Sequence, residues 1–421
     1  MKVAVLIKQV PLLSRLQFDH EQKRVIRSGV PLEVNAFDVR AVVRAVRLKE
    51  EVGAEVVLLT MGPPQARDAL LQCLALGADR ALLLTDRAMA GADTLATART
   101  LALALRQERP DLVLAGRNSV DAETGQVGPE VAELLGLPHV SRVRRLEVED
   151  GSLVCTREVD QGEEVVRCPL PALVTVAEGI APEAYPRRDA LEQAKEKPLR
   201  EVTAAALGAD PSHLGAAGSP TEVLEIEVLK PQRRGVLIQE EDPREAARRL
   251  EAALREHGLA RRREVLPKPR PIRGASRERA LWVVAETVDG ALRPVTWELL
   301  GKARELAAAL GGEVAVVLLA PGEGTVAAAL AARGADRALA PAAPFDHPAS
   351  PLAAAWLAAL LEREGPYAVL FPSTADGRDL ASRVAARLGL GLTGDCVDLR
   401  LDGEGRLLQM KPALGGNVVA P

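Results

Sequence analysis

The residues of this chain best suited to chemistry lie in a glycine-rich loop between an apolar run and a helical pattern. The apolar run 112–115 leads into Gly116, and the loop ends at Gly128, after which Pro129 opens a helix. In such a strand–loop–helix turn, free backbone N–H groups and the helix dipole face an anion, and glycine permits close approach. The loop therefore predicts a phosphate site, with these candidate residues: Arg117, Asn118, Ser119, Val120, Asp121, Thr124, Gly125, Gln126, Val127 and Gly128. The alternative is an ordinary loop whose glycines permit positive φ angles.

Further polar turns are expected at the same edge of the sheet, because the carboxyl ends of parallel strands meet there. The turn at 35–38 begins a helical pattern, and two other turns follow the apolar runs 3–7 and 56–59. A structural alternative makes Asn35 a helix N-cap, with Asp38 favouring the dipole. In the functional interpretation, Phe37 lies near a ring system and the turns form one crevice. The residues added to the candidate site are Leu6, Lys8, Asn35, Ala36, Phe37, Asp38 and Met61.

Catalytic and metal-binding constellations are absent from the sequence pattern. No nucleophile–base pair or carboxylate dyad is visible, the four cysteines have no CxxC spacing, and the five histidines are scattered. A disulfide framework or a zinc site is therefore not expected. The pattern favours a nucleotide site without catalytic residues and without a metal.

The elements that must position these residues are alternating strands and helices. Continuous apolar runs separated by helical patterns indicate a parallel sheet covered on both faces, which is an α/β, Rossmann-like architecture. In the first half, the strands are predicted at 3–7, 56–59, 81–84 and 112–115, and the helices at 37–51, 65–76, 94–108 and 129–135. In the second half, the strands are predicted at 281–285, 314–319 and 369–371, and the helices at 297–310, 324–333, 351–364 and 379–388. Hairpins are predicted at 144–159 and 398–410.

The sequence contains the same unit twice. Gly77-Ala78-Asp79-Arg80 returns as Gly334-Ala335-Asp336-Arg337, an offset of 334 − 77 = 257. The offset falls from 372 − 116 = 256 to 384 − 131 = 253 beyond the loop, so the first copy has three extra residues there. Repeated segments in constant order predict two homologous domains forming a pseudo-heterodimer on one chain. The two domains are predicted at 1–262 and 280–421, with a Pro/Arg-rich linker at 263–279 between them.

The end of the second copy differs from the first. The first copy has a final apolar strand at 172–176, and the second reaches Pro421 without an evident counterpart. We therefore expect the second domain to be truncated, with its last strand supplied by another chain or lost.

Composition excludes several classes of partner. The net charge is −4 and aromatic residues are only 2% of the chain, which argues against nucleic acid. The N-terminal apolar run is too short for a signal peptide or a membrane span. The expected location is the cytoplasm, without membrane insertion.

The motifs resemble the electron transfer flavoproteins. Residues 1–262 are similar to the β subunit, and residues 280–421 resemble the N-terminal domain of the α subunit. The β-like motifs are Lys8-Gln9-Val10-Pro11, Asn35-Ala36-Phe37-Asp38, Met61-Gly62-Pro63, Asp121 through Pro129, and Arg157-Glu158-Val159-Asp160. The α-like motifs are Arg378-Asp379-Leu380, Arg383 through Gly389, Thr393-Gly394-Asp395-Cys396 and Gly415-Gly416-Asn417.

This resemblance implies the fold, cofactors and partners of an electron carrier. The fold would be the adenine-nucleotide α-hydrolase-like type, and the loop would bind AMP, or a second FAD as in electron-bifurcating members. The redox FAD would belong to a separate or missing α-type FAD domain, with Phe37 and Leu13 approaching its flavin ring.

The resemblance also implies which proteins exchange electrons with the chain. The donors would be flavin dehydrogenases of the acyl-CoA dehydrogenase type, as in fatty acid β-oxidation. The acceptor would be a quinone oxidoreductase or a ferredoxin-type protein. The docking segment would be 186–197, where Arg188 replaces an apolar anchor. The alternatives are an adenine-nucleotide-binding regulatory module without redox activity, and a remnant that has lost redox function.

Overall fold

The architecture consists of two parallel sheets with helices on both faces, one sheet in each half of the chain. A computed structural model describes residues 1–19, 24–26, 29–228, 235–259, 275–321, 324–416 and 418–420. The first-half strands are β1 (Lys2–Leu6), β2 (Gln9–Pro11), β3 (Gln17–Asp19), β4 (Arg24–Ile26), β5 (Leu32–Val34), β6 (Glu55–Met61), β7 (Arg80–Leu84), β8 (Leu112–Gly116), β9 (His139–Glu149), β10 (Ser152–Val159), β11 (Gly162–Pro169), β12 (Ala172–Val176), β13 (Leu199–Val202) and β14 (Glu227–Val228). The helices there are α1 (Ala36–Val52), α2 (Arg67–Ala75), α3 (Thr94–Glu108), α4 (Val127–Leu135), α5 (Arg188–Ala194), α6 (Ala204–Leu207) and α7 (Pro243–Glu256).

The second half repeats the same alternation on a smaller scale. Its strands are β15 (Ser276–Val284), β16 (Thr287–Val288), β17 (Ala291–Leu292), β18 (Gly312–Val317), β19 (Arg337–Leu339), β20 (Ala368–Leu370), β21 (Asp398–Leu401), β22 (Leu407–Ala413) and β23 (Val418–Ala420). Its helices are α8 (Pro294–Leu310), α9 (Gly324–Ala332), α10 (Pro351–Glu364) and α11 (Ala375–Leu388). Residues 263–274 of the predicted linker 263–279 lie outside the described residues. Strand β15 begins at Ser276, within the predicted linker.

Strand order confirms that the two halves share one α/β unit. The first sheet has the order β11-β10-β9-β12-β8-β1-β6-β7-β13, and the second has β19-β18-β15-β20. The stretch β7-β6-β1-β8 is parallel throughout, as is its counterpart β19-β18-β15-β20. In the first half β12 flanks β8, whereas β20 is the outer strand of its sheet among the described residues.

The repeated Gly-Ala-Asp motif has a structural cause. Asp79 accepts a hydrogen bond from the backbone N–H of Val56 at 2.8 Å, and Asp336 accepts one from Val314 at 2.8 Å. Asp79 thus joins the turn before β7 to the neighbouring strand β6. Asp336 joins the turn before β19 to the neighbouring strand β18. The same chain reversal is fixed by the same side chain in both copies.

Both faces of each sheet are covered by apolar side chains. Along β1, Val3 and Val5 belong to the cluster that includes α1 and α2, whereas Ala4 and Leu6 belong to the cluster that includes α3 and α4. This distribution follows from the two-residue period of a strand. The apolar run therefore fixes β1 as an inner strand, and its carboxyl end opens onto the predicted crevice.

The two halves meet through helices that occupy equivalent positions in the repeat. Helix α4 packs against α11, and β14 of the first half pairs antiparallel with β23 of the second. The latter contact extends a small antiparallel sheet of order β14-β23-β22-β21. The second half is thereby held beside the crevice of the first.

Candidate functional site

A cavity of about 1630 Å³ lies at the carboxyl ends of β8, β1, β6 and β7. Most of the residues predicted from the sequence line it: Leu6, Lys8, Asn35, Asp38, Met61, Arg117, Asn118, Ser119, Asp121, Thr124, Gly125, Gln126, Val127 and Gly128. Ala36, Phe37 and Val120 are not among the lining residues. The predicted turns thus meet at one crevice, as expected for the edge of a parallel sheet.

Phe37 is covered by a side chain of the loop. Its side chain is buried, and the guanidinium carbon of Arg117 lies 4.5 Å from the centre of its ring. This distance is typical of a cation–π contact. The ring therefore contacts Arg117, and Leu13, the other residue proposed to approach a flavin, is half-buried in a 3₁₀ turn at Leu13–Arg15.

Asn35 precedes α1 but does not cap it with its side chain. Its Nδ2 donates to the carbonyl of Asn118 at 2.9 Å, and its Oδ1 accepts from the N–H of Val120 at 3.2 Å. Its own backbone N–H donates to the carbonyl of Lys8 at 2.9 Å. Asn35 therefore occupies the expected N-cap position, but its side chain joins the β1 turn to the glycine-rich loop and does not cap α1.

Asp38 joins the same two segments from a buried position. Its Oδ2 accepts from the N–H of Lys8 at 2.8 Å, and its Oδ1 accepts from the N–H of Gly116 at 2.9 Å. Burial raises the pKa of this carboxyl to about 7, although hydrogen bonds from Asn35, Lys8 and Gly116 oppose the rise. Both carboxylate oxygens are thus engaged by main-chain donors, and the side chain acts as a brace for the crevice.

The loop carries an internal ion pair. Lys8 Nζ lies 2.9 Å from a carboxylate oxygen of Asp121 and 3.3 Å from Ser119 Oγ. Burial raises the pKa of Asp121, but the charge and hydrogen bond of Lys8 outweigh this and hold it below its usual value. Lys8 therefore stabilises the loop in the structure described here, and its charge is already balanced.

The N-terminus of α4 has no side-chain cap. Gln126 occupies the N-cap position without capping, because its Oε1 accepts from Thr94 Oγ1 at 2.8 Å. The preceding Gly125 has φ +66°, a left-handed conformation that glycine adopts without strain. The helix therefore presents its first N–H groups and its dipole toward the cavity.

Gly128 is required by packing within the protein. A Cβ at this position would lie 2.4 Å from Thr175 Cγ2 on β12, and the other atoms near it belong to Leu173 and His139. The glycine is therefore required because α4 packs closely on the sheet. The steric conflict that a side chain would meet here is with Thr175, and the approach of a phosphate to the Gly128 backbone stays a prediction.

The equivalent turn in the second half is closed by its own side chains. Thr374 caps α11 by accepting from the N–H of Gly377 at 3.0 Å, and its hydroxyl also contacts Glu286. Arg293 lies 2.8 Å from the Glu286 carboxylate and 2.9 Å from Asp160 of the first half. Burial raises the pKa of Glu286. Helix α11 thus has a capped N-terminus where α4 has an open one.

Other parts of the chain complete the cavity and were missed from the sequence. From the first half they include residues 85–87 and 89–94 after β7 and residues 220–224 and 226 before β14. From the second half they are 391–394, 406–409, Lys411, Ala413, Leu414, Val418 and Ala420. The rule of converging strand ends could have found residues 85–94. The second-half residues carry no local signal, because they reach the crevice only through the packing of the two halves.

Among the described residues, no group of three or more His, Cys, Asp or Glu side chains has the arrangement needed to hold a metal ion. Within the same described part of the chain, no helix has the length and apolar character needed to cross a bilayer.

A family model matches segments of both halves, and the curated relatives each cover a little over half of the chain. The family model described as the electron transfer flavoprotein domain matches residues 23–207 and 281–421. The electron transfer flavoprotein subunit beta of Thermoanaerobacterium thermosaccharolyticum is 41% identical over 239 residues, covering 56% of this chain and 92% of that protein. Protein FixA of Azotobacter vinelandii is 36% identical over 265 residues, covering 60% and 93%. The caffeyl-CoA reductase–Etf complex subunit CarD of Acetobacterium woodii is 39% identical over 225 residues, covering 53% and 86%.

Proposed function

Since this chain belongs to the electron transfer flavoprotein family, with a β-like half followed by an α-like half, we propose that it carries electrons between flavin enzymes. In this role the chain has no substrate of its own. The relatives of the first half include subunits named for electron transfer and for a reductase complex. The crevice of the first half would hold an adenine nucleotide, and the redox FAD would be held by an α-type FAD domain outside residues 1–421.

The observation that carries the nucleotide proposal is the contrast between α4 and α11. These helices occupy equivalent positions, yet Thr374 caps α11 whereas no side chain caps α4. An uncapped helix N-terminus at the edge of a cavity favours a phosphate group. The ligand is therefore expected in the first half alone, with its phosphate beside Gly125 and the first turn of α4.

The nucleotide would be AMP or FAD. Pockets for small ligands usually measure about 300–1,000 Å³, and the volume of about 1630 Å³ leaves room for either molecule. AMP would serve a structural role, whereas FAD would make the chain part of an electron-bifurcating complex. The chemistry that FAD supplies is the acceptance and release of electrons by its ring, and the crevice residues would hold its adenylate end.

The redox FAD domain would meet the chain near the second sheet and the first-half rim. In the first half β12 covers the edge of β8, and the corresponding edge of β20 has no strand beside it among the described residues. An α-type domain could supply such a strand. For Phe37 to approach its flavin, the guanidinium group of Arg117 would have to move from the ring it now covers.

The proposed partners are flavin dehydrogenases, including the acyl-CoA dehydrogenase type, and an acceptor such as a quinone oxidoreductase. The segment proposed for docking contains α5 and the extended residues before it. Tyr185 is exposed there, and Arg187 pairs with Asp189 at 3.0 Å on the surface. A charged surface at this position favours a partner with a polar docking face. The cytoplasmic location also stays a prediction.

The nucleotide content and colour of the purified full chain test this proposal. We expect AMP or FAD to be released on denaturation in a ratio near one per chain. We also expect no electron transfer from an acyl-CoA dehydrogenase by the chain alone, and transfer after an α-type FAD domain is added. A colourless chain that responds to ATP and never transfers electrons would favour the regulatory module instead. A reducible, stoichiometric flavin active in the isolated chain would move the redox site into the first-half crevice.

Two glycine variants test the position of the nucleotide. Gly125→Ala and Gly53→Ala both place a side chain at a positive φ, +66° and +68° respectively. The strain is expected to cost about 1–2 kcal/mol in each variant. Gly53 ends α1, outside the lining of the cavity, so only Gly125→Ala should lower nucleotide content. Equal content in the two variants would contradict a phosphate at this loop.

A further inference from the structure

The second half places a lysine at the crevice of the first half. Lys411 lies on β22 and lines the cavity. Three residues beyond it, the backbone N–H of Leu414 donates to the carbonyl of Asp121 at 3.1 Å. Lys411 Nζ donates to the carbonyl of Gly394 at 3.0 Å. The ammonium group is thus fixed between two segments of the second half that face the glycine-rich loop.

Gly394 itself lies against the loop. A Cβ on this glycine would be 3.2 Å from Gln126 Nε2 and 3.5 Å from the carbonyl oxygen of Thr124. The acceptor of the Lys411 ammonium therefore belongs to a residue packed on the segment that leads into α4. This geometry brings the charge of Lys411 near the expected phosphate position.

The charge of Lys411 is not balanced by an ion pair in the described part of the chain. Its recorded side-chain hydrogen bond goes to a neutral carbonyl, so two of its three N–H donors are available. Two carboxylates act on Lys411 by charge without pairing with it: Asp395, which is engaged by Arg378 at 2.5 Å, and Glu123. Burial lowers the pKa of Lys411, since little water reaches the ammonium group. A half-buried cation of this kind is stabilised by an anion in the cavity.

Of the other cations that line the cavity, Arg87 is exposed in the turn after β7, and three are engaged by groups of the protein. Lys8 pairs with Asp121, Arg406 pairs with Asp402 at 2.7 Å, and Arg117 covers Phe37. We propose that Lys411, supplied by the second half, directly contacts the phosphate of the bound nucleotide, so that the site is complete only with both halves. This inference rests on the nucleotide site proposed above and adds a residue that binds the negatively charged phosphate.

Binding of AMP and of adenosine to the full chain tests this role. The two probes differ by the phosphate, and AMP is also the adenylate end of FAD. The chain is first freed of any nucleotide that co-purifies, and affinities are measured by calorimetry for the wild type, Lys411→Met and Lys411→Arg. Lys302→Met is the matched control, because Lys302 is a second-half lysine on α8 that pairs with Glu305 at 2.8 Å and is not among the lining residues of the cavity.

Loss of a hydrogen bond to a charged group predicts that Lys411→Met weakens AMP binding about 10- to 100-fold. Adenosine affinity should not change, Lys411→Arg should keep most of the AMP affinity, and Lys302→Met should behave as the wild type. The AMP affinity of the wild type should also fall more steeply with salt than that of Lys411→Met.

An equal loss of AMP and adenosine affinity in Lys411→Met would assign the residue to folding and overturn the inference. Unchanged AMP affinity would overturn it as well, while leaving the nucleotide site intact. If the wild-type chain binds neither AMP nor FAD, the proposed nucleotide site fails, and the role of Lys411 fails with it.

Discussion

Glu133 of the first half and Arg383 of the second form an ion pair at 3.1 Å with both side chains almost fully buried, at 6% and 2% exposure. The second oxygen of the Glu133 carboxylate accepts from Arg387 Nε at 2.8 Å. Glu133 therefore joins α4 to α11 through two arginines. Because α4 also forms one wall of the crevice, this contact sets the position of the second half relative to the nucleotide loop.

Glu133→Gln is expected to destabilise the chain by about 3 kcal/mol, because it leaves the buried Arg383 charge without a counter-charge. Arg387→Gln removes a partner that is 43% exposed and should cost less than about 1 kcal/mol. Urea unfolding of the full chain measures both. Similar small losses in the two variants would mean that the buried pair does not hold the halves together.

Asp38→Asn is expected to weaken nucleotide binding although residue 38 need not touch the ligand. Both oxygens of Asp38 accept main-chain N–H groups, and an asparagine would place an N–H₂ group against one of those donors. Leaving a buried donor unpaired costs about 1–3 kcal/mol. Asp210→Asn is the control, since Asp210 also accepts a main-chain N–H, from Ser212, but at an exposed turn.

The measurements for Asp38→Asn are AMP affinity and thermal unfolding. We expect both to fall, and we expect Asp210→Asn to keep its AMP affinity. A variant with wild-type AMP affinity would show that the two main-chain contacts of Asp38 do not shape the crevice.

Gly128→Ala is expected to disturb the seating of α4, because its Cβ would lie 2.4 Å from Thr175 Cγ2. Thr175→Ser removes that methyl group and keeps the hydroxyl. The double variant should therefore recover much of the stability and nucleotide content that Gly128→Ala loses. Thermal unfolding and nucleotide analysis of the two single variants and the double variant measure this coupling. Additive effects would mean that position 128 requires glycine for another reason, for example direct contact with a phosphate.

Glu130→Gln tests a buried carboxyl on the first turn of α4. Burial raises the pKa of Glu130 to about 8, against a usual value of 4.5, while Thr94 and Arg99 oppose the rise and Asp93 adds to it. A folded-state pKa above the unfolded value gives a stabilisation that is complete below about pH 4.5 and is lost as the pH rises through 8. Glutamine does not titrate, so the variant should gain stability relative to the wild type between pH 5 and 8.

Thermal unfolding of the wild type and Glu130→Gln across this pH range measures the difference. The difference should grow with pH and become constant above about pH 8. A difference that does not depend on pH would mean that Glu130 is ionised in the folded chain.

The amino-acid sequence by itself determined the repeated unit, the order of its elements and the position of the crevice. The predicted helix at 94–108 agrees with α3, and the predicted helix at 351–364 agrees with α10. These elements are local, because an apolar period and a turn residue within one segment fix them. The rule of converging strand ends then brought Lys8, Asn35 and Gly116 to one edge.

The tertiary structure alone decided how the crevice is braced and completed. Asn35 could have capped its own helix, but it instead contacts Asn118 and Val120 more than 80 residues away. Gly128 faces Thr175 because α4 packs closely on β12, and Lys411 lines the first-half cavity because the two halves pack through α4 and α11. Each of these contacts joins residues that are distant in the chain. Their partners are set by packing between elements, and no periodicity within a segment encodes that packing.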